Sequence, residues 1–118
     1  MGNLCRACIR VMKRNPIVNH YILFLEFSDS CEARRPEFRD EHLTKAWAAV
    51  ERGELILAGA LTDPVDTGVI LFKGDTPAAA ERFAKDDPYI NNGLVRSWQI
   101  REWTTVVGHD ASSILRPK

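Results

Sequence analysis

The sequence has no surplus of either charge: sixteen Lys and Arg balance sixteen Asp and Glu over 118 residues, for a formal net charge of zero. With no block or stripe of basic residues to neutralise phosphates, nucleic acid is excluded as a partner. No apolar run approaches the length needed to cross a bilayer, so no membrane partner is expected either. A content of 45% hydrophobic and 27% charged residues then points to a soluble, cytoplasmic globular protein. Cysteine is scarce. Cys5, Cys8 and Cys31 make an odd number with no secretory signal ahead of them, which argues against a disulfide framework. Cys5 and Cys8 form a lone CxxC without a second ligand pair, and neither His20 nor His42 lies in a finger-like HxxxH. Neither a metal nor a cofactor is expected.

The length suits one domain with one core. Residues 1–19, MGNLCRACIRVMKRNPIVN, carry basic side chains and no acid, and read as an N-terminal extension, most simply a flexible tail with Met12 as an alternative start. Organelle targeting and lipidation are the other readings. The myristoylation pattern wants Ser or Thr where Arg6 stands. The domain is expected over 20–107, with a C-terminal tail over 108–118.

Within the domain the periodicity changes element by element. HYILFLEF (20–27) is a dense apolar run bounded by Ser28, Asp29 and Ser30, and reads as a strand buried on both faces. From Pro36 to Gly53, Leu43, Ala46, Trp47 and Val50 recur at helical spacing, and Gly53 stands where the helix should stop. ELILAGAL (54–61) and TGVILFKG (67–74) read as a hairpin. Asp75, Thr76 and Pro77 cap a second helix through AAAERFAK, and LVRSWQIREW alternates as a last strand. The order βαββαβ predicts a ferredoxin-like α+β sandwich with both helices on one face of an antiparallel sheet. Trp98 and Ile100 should meet the helices, leaving Val95, Ser97, Gln99, Arg101 and Trp103 on the far face. Because strand one is apolar on both faces, that far face needs a cover. A second copy of the chain is the expected one, in a homodimer with facing sheets.

FAKDDPYINNGL (83–94) places Asp86 and Asp87 at a helix C-terminus, where carboxylates are disfavoured by the helix dipole. Asp87 followed by Pro88 also fits the N-cap and first position of a short helical turn. On the first helix, Arg39 and His42 are neighbours three apart, with Ala46 opening space beside the imidazole. A His at the border of the apolar stripe, facing a carboxylate, would have one ring nitrogen held and the other free, as a general base requires. Each residue also has an ordinary reading: His42 as a surface histidine, Arg39 as a solvated charge, Tyr89 as a packed ring. Ser97, Gln99 and Arg101 share a face, either lining the space between two sheets or making dimer contacts. His20 and His109 receive no role.

RDEHLTKAWAAVERGELILAGA, with Arg39, His42, Leu43, Gly53 and Gly59, together with DPYINNGL, resembles the YciI-like family of small dimeric α+β barrel proteins, over about His20 to Val107. The departures are Ala60, where members commonly carry Pro, and the N-terminal extension. The resemblance implies a ferredoxin-like subunit, a sheet-to-sheet dimer and a site built on His42 and Asp87. Arg39, Tyr89, Ser97, Gln99 and Arg101 are candidate substrate contacts by their positions in the expected fold. The expected function is a cofactor-independent enzyme acting by proton transfer on a small cyclic or enolisable substrate, by elimination or isomerisation. A non-catalytic metabolite-binding or dimerisation module is the alternative, and a cofactor-free monooxygenase a third.

Overall fold

The computed structural model describes residues 18–118, so the readings placed on Gly2, Cys5, Cys8 and Met12 lie outside the described residues. Its elements are β1 (Asn19–Phe27), α1 (Cys31–Glu51), β2 (Leu55–Ala60), β3 (Thr67–Gly74), α2 (Ala78–Asp86), α3 (Pro88–Asn91) and β4 (Val95–Trp103). The strands form one antiparallel sheet in the order β2-β3-β1-β4. This is the ferredoxin-like α+β arrangement that the alternation predicts, with α3 added as a single turn before β4.

The core lies between the helices and the face of the sheet carrying Leu23, Leu25, Ile70 and Phe72. Against it stand Ala46 and Ala49 of α1 and Ala80, Phe83 and Ala84 of α2. Alanines on the sheet-facing lines let the helix backbones approach closely, and the larger rings fill what remains. The apolar stripe of α1 is therefore turned from its expected position. Ala46 is buried and Val50 half-buried, but Leu43 and Trp47 project from the flank, 44% and 64% exposed.

The helix ends show how the chain sets its turns. Ser30 precedes α1, which begins at Cys31 and not at Pro36. Proline inside a helix forgoes one backbone bond, here to the Glu32 carbonyl on the exposed side, so the helix runs through it. At the other end Gly53 adopts φ +79, with its N–H on the Val50 carbonyl and that of Glu54 on the Ala49 carbonyl. These two bonds are the Schellman closure that a left-handed glycine permits. At α2, Thr76 Oγ1 accepts from the Ala78 N–H at 3.3 Å, but the helix begins at Ala78 with Pro77 as its N-cap, one residue later than expected, so the side-chain bond comes from just before the cap.

The far face of the sheet carries Ile22, Phe24, Val69 and Leu71, all half-buried, and in the single chain nothing among the described residues covers its middle. Two side chains depart from their expected faces or burial. A bulge between Glu26 and Phe27 sets Val95 opposite Phe27, which moves Val95 to the helix face, where it is buried. Trp98 does lie opposite Leu25 on that face, but on edge strand β4 it reaches past the helices and stays 41% exposed.

These positions differ in what they contribute to stability. Leu23→Ala should cost about 2–5 kcal/mol, since Leu23 is wholly enclosed. Trp47→Gln should stay within about 0.5 kcal/mol of wild type. Urea denaturation of the two variants measures both, and a large loss for Trp47→Gln would mean that its flank is covered in solution.

Candidate active site

α3 is a one-turn helix whose two ends are both fixed. At its N-terminus the Asp87 Oδ1 accepts from the Tyr89 N–H at 3.3 Å, with Pro88 at the first helical position. At its C-terminus Gly93, at φ +81, donates to the Ile90 carbonyl, and the buried Leu94 donates to that of Tyr89. The backbone on either side of Tyr89 is thus held by a side-chain cap and a Schellman closure.

The same Asp87 Oδ1 lies 2.7 Å from Nδ1 of His42 on α1. Asp87 is 0% exposed and the His42 side chain 14%. One carboxylate oxygen therefore caps α3 and fixes the imidazole, while Oδ2 is buried without a partner. The Tyr89 ring stacks on His42 at 3.9 Å between centroids and 8° between planes, and Phe83 meets the imidazole edge-on at 6.0 Å. Carboxylate, stacked phenol and perpendicular phenyl together leave the ring one orientation. Its Nε2 has no hydrogen-bond partner among the described residues and is not a buried orphan, so this nitrogen is open to a ligand. With an ionised Asp87 accepting, Nδ1 carries the proton and Nε2 the lone pair, which is the state a general base needs.

Asp86 turns the other way and pairs with Lys45 Nζ at 2.9 Å. Its carboxylate, through this hydrogen bond first, raises the Lys45 ammonium above its ordinary value. Each aspartate at the end of α2 thus crosses to a basic group on α1, His42 or Lys45, and these two are three residues apart on the helix. The pairs dock α2 and α3 against α1 and account for carboxylates where the helix dipole disfavours them. Burial raises the Tyr89 phenol above its ordinary value, and the neighbouring Arg39 and then Arg35 charges oppose that shift.

The structure brings His42, Asp87, Tyr89 and Arg39 together. Ser97, Gln99 and Arg101 lie elsewhere, on the far face of the sheet, paired with Glu26, Phe24 and Ile22 of β1. Ser97 and Gln99 border a cavity of about 470 Å³ there, with Phe24 and Glu26. A larger one, about 730 Å³, lies toward the other end of that face, between His20, Lys73, Trp103 and the segment from Thr105 to Ser112. His20, buried, is hydrogen-bonded through Nδ1 to Thr105 Oγ1 at 2.7 Å, and Thr105 in turn accepts from the Ser112 N–H. Neither cavity borders His42. Sequence reasoning missed the stacking of Tyr89 on His42, which only the tertiary approach of α3 to α1 creates. It also missed Arg35, whose signal was available: it stands four residues before Arg39, on the same helix edge.

The model of the YCII-related domain matches residues 20–104, so the chain belongs to that family. Among solved structures it is similar to the 5-chloro-2-hydroxyhydroquinone dehydrochlorinase TftG of Burkholderia phenoliruptrix AC1100, in complex with 2,5-dihydroxybenzoquinone. That likeness has a TM-score of 0.59 and 12% identity, over 73% of this chain and 94% of the other. A "putative antibiotic biosynthesis monooxygenase" of Bacteroides thetaiotaomicron VPI-5482 gives a TM-score of 0.53 at 13% identity, over 86% and 96% of the two chains. A NIPSNAP family protein of Agrobacterium tumefaciens C58 gives 0.50 at 11% identity, over 75% and 93%. At these identities the likeness is one of fold. No curated protein matches the sequence. Among the described residues no helix is long and apolar enough to cross a membrane, and no three His, Cys, Asp or Glu side chains gather as a metal site.

Two measurements check this geometry. Nitrogen-15 NMR of His42 should show the Nδ1–H tautomer in the wild type and lose that preference in Asp87→Ala, which should also lose roughly 1–3 kcal/mol with the cap and the pair. The Tyr89 contribution has a defined pH window. Folding favours the neutral phenol, so the stabilisation is complete below the ordinary value of 10.0 and is lost as pH rises through the higher folded value. Urea midpoints measured from neutral pH to above pH 10 should therefore fall less steeply in Tyr89→Phe than in the wild type.

Proposed function

We propose that the protein is a small-molecule enzyme in which His42 transfers a proton to or from a small cyclic or enolisable substrate. The observation that carries this reading is the 2.7 Å contact between His42 Nδ1 and the buried Asp87, which leaves Nε2 open on a ring held between that carboxylate and the stacked Tyr89. In an elimination, Nε2 takes a proton from substrate, the electrons of that bond form a double bond, and the leaving group departs with its own pair. In an isomerisation, the imidazolium returns the same proton at another carbon. Asp87 is the positioning residue that keeps the imidazole in one tautomer and stabilises the imidazolium. Both reactions balance without an oxidant, reductant or cofactor. The dehydrochlorinase among the structural neighbours supports elimination as the class to assay first.

The homodimer with facing sheets belongs to the same proposal. Ile22, Phe24, Val69 and Leu71 form an apolar far face that a second copy would cover, with Ser97, Gln99 and Arg101 at or near its contact. A second reading, a non-catalytic metabolite-binding or dimerisation module, draws on the two cavities, since both lie on that far face and away from His42.

One assay separates them. The full chain is incubated with chlorinated hydroquinones and with enolisable ketones in deuterium oxide, and halide release and carbon-bound deuterium are followed. The wild type should turn over at least one substrate, and His42→Gln should lose about 10²–10⁴-fold in rate with its fold intact. Wild-type rates matched by His42→Gln would support the module. Light scattering of the wild type and of Phe24→Asp should give a dimer and a monomer.

A further inference from the structure

The α1 edge that carries His42 also carries Arg39 and Arg35, at spacings of three and four residues, so the three side chains stand in one row. Both guanidinium groups lie close enough to the Tyr89 hydroxyl for their charge to act on it, and Tyr89 is the ring stacked on His42. Neither arginine has an ion-pair partner among the described residues, whereas Arg52 and Arg82 pair with Glu54, and Arg96 with Glu26 and Asp29. The helix neighbours of Arg39 three and four residues away are Arg35, Pro36, His42 and Leu43, none of them acidic. Arg35 is half-buried, with its guanidinium 5.9 Å from the centre of the Phe27 ring. Two like charges one turn apart are unfavourable for the helix. Asp87 pairs with neither arginine: its Oδ1 accepts from His42 and the Tyr89 N–H, and its Oδ2 has no partner among the described residues.

We infer that Arg35 and Arg39 form an anion clamp beside His42, and that the substrate is a small carboxylate whose acidic carbon is thereby held against Nε2. Guanidinium groups suit a planar carboxylate because each offers parallel N–H donors. The clamp also has a chemical use. When Nε2 removes a proton from carbon, charge moves onto a substrate oxygen, and a cation beside that oxygen stabilises it. The inference rests on the reading of His42 as the base, but it makes separate claims about charge recognition.

Benzoate, maleate and the neutral benzamide, titrated into the full chain while His42 and Tyr89 ring resonances are followed by NMR, test the clamp. A carboxylate should shift both residues saturably, and benzamide should bind at least about 10-fold more weakly than benzoate, as loss of a charge-assisted hydrogen bond implies. Arg35→Gln and Arg39→Gln should each weaken the carboxylate by a similar factor. Arg39→Lys should recover only part of the loss, and Arg96→Gln, which removes a charge on β4, should change nothing. No saturable shift with either carboxylate, equal binding of benzamide and benzoate, or wild-type affinity in both arginine variants would overturn the inference. The two readings fail separately. Carboxylate binding that survives in His42→Gln, with no proton exchange in the wild type, would sink the base and keep the clamp. Exchange on neutral ketones that is unchanged in both arginine variants would do the reverse.

Discussion

A buried carboxylate is the constraint around which this domain is organised. Removing an ionised Asp from water costs several kcal/mol unless hydrogen bonds replace the lost solvation. Asp87, with 0% exposure, receives two of them at one oxygen: the imidazole of His42 and the backbone N–H of Tyr89. These bonds join α1, the end of α2 and α3, so the site and the packing of the helices are one arrangement. Breaking it would leave a buried charge with too few partners. The arrangement therefore persists only if α3 presents its N–H and α1 presents its histidine together. Oδ2, buried with no partner, marks where this solvation stays incomplete.

The short helix α3 gives Asp87 its geometry, and its sequence shows why so few residues suffice. Pro88 fixes φ at the first helical position and has no N–H to satisfy, Asp87 caps, and Gly93 takes the left-handed conformation that closes the turn. With both ends determined locally, the ring between them can serve a tertiary purpose. Tyr89 lies flat on His42, restricts its rotation and excludes water from one of its faces. A stacked neutral ring does this without competing for the ring nitrogens, which a charged neighbour would do.

What was legible in the sequence followed from local rules. Strand alternation, the glycine stop at Gly53 and the Asp87-Pro88 pair each act within a few residues, and each element they predict is present. The pairing of His42 with Asp87 was legible only by resemblance, because 45 residues separate them and no periodicity links the two. The missed features were those set by packing. Pro36 looked like a helix start because a proline's cost depends on which carbonyl it deprives, and here that carbonyl is exposed. Leu43 and Trp47 looked like core because their spacing matches the stripe, yet the small side chains Ala46 and Ala49 set which line of α1 faces the sheet. Val95 changed face through a bulge, which shifts register by one residue and leaves no mark in a pattern of alternating residues.

The two faces of the sheet divide the chemistry. On the helix side the polar groups are few and specifically paired: one carboxylate, one imidazole, one phenol, with guanidinium groups at their edge. On the far side the polar groups of β4 lie along β1, Ser97 opposite Glu26, Gln99 opposite Phe24 and Arg101 opposite Ile22, and Ser97 and Gln99 border a cavity of about 470 Å³. The proton transfer proposed for His42 would need a base fixed in place, and the first environment holds its imidazole against Asp87 and Tyr89. The proposed association of two copies would draw on the second, since it needs apolar area with a polar rim. Because the strands present alternate side chains to the two faces, the packing that fixes the His42–Asp87 pair on the helix side and the apolar residues of the far face are set independently.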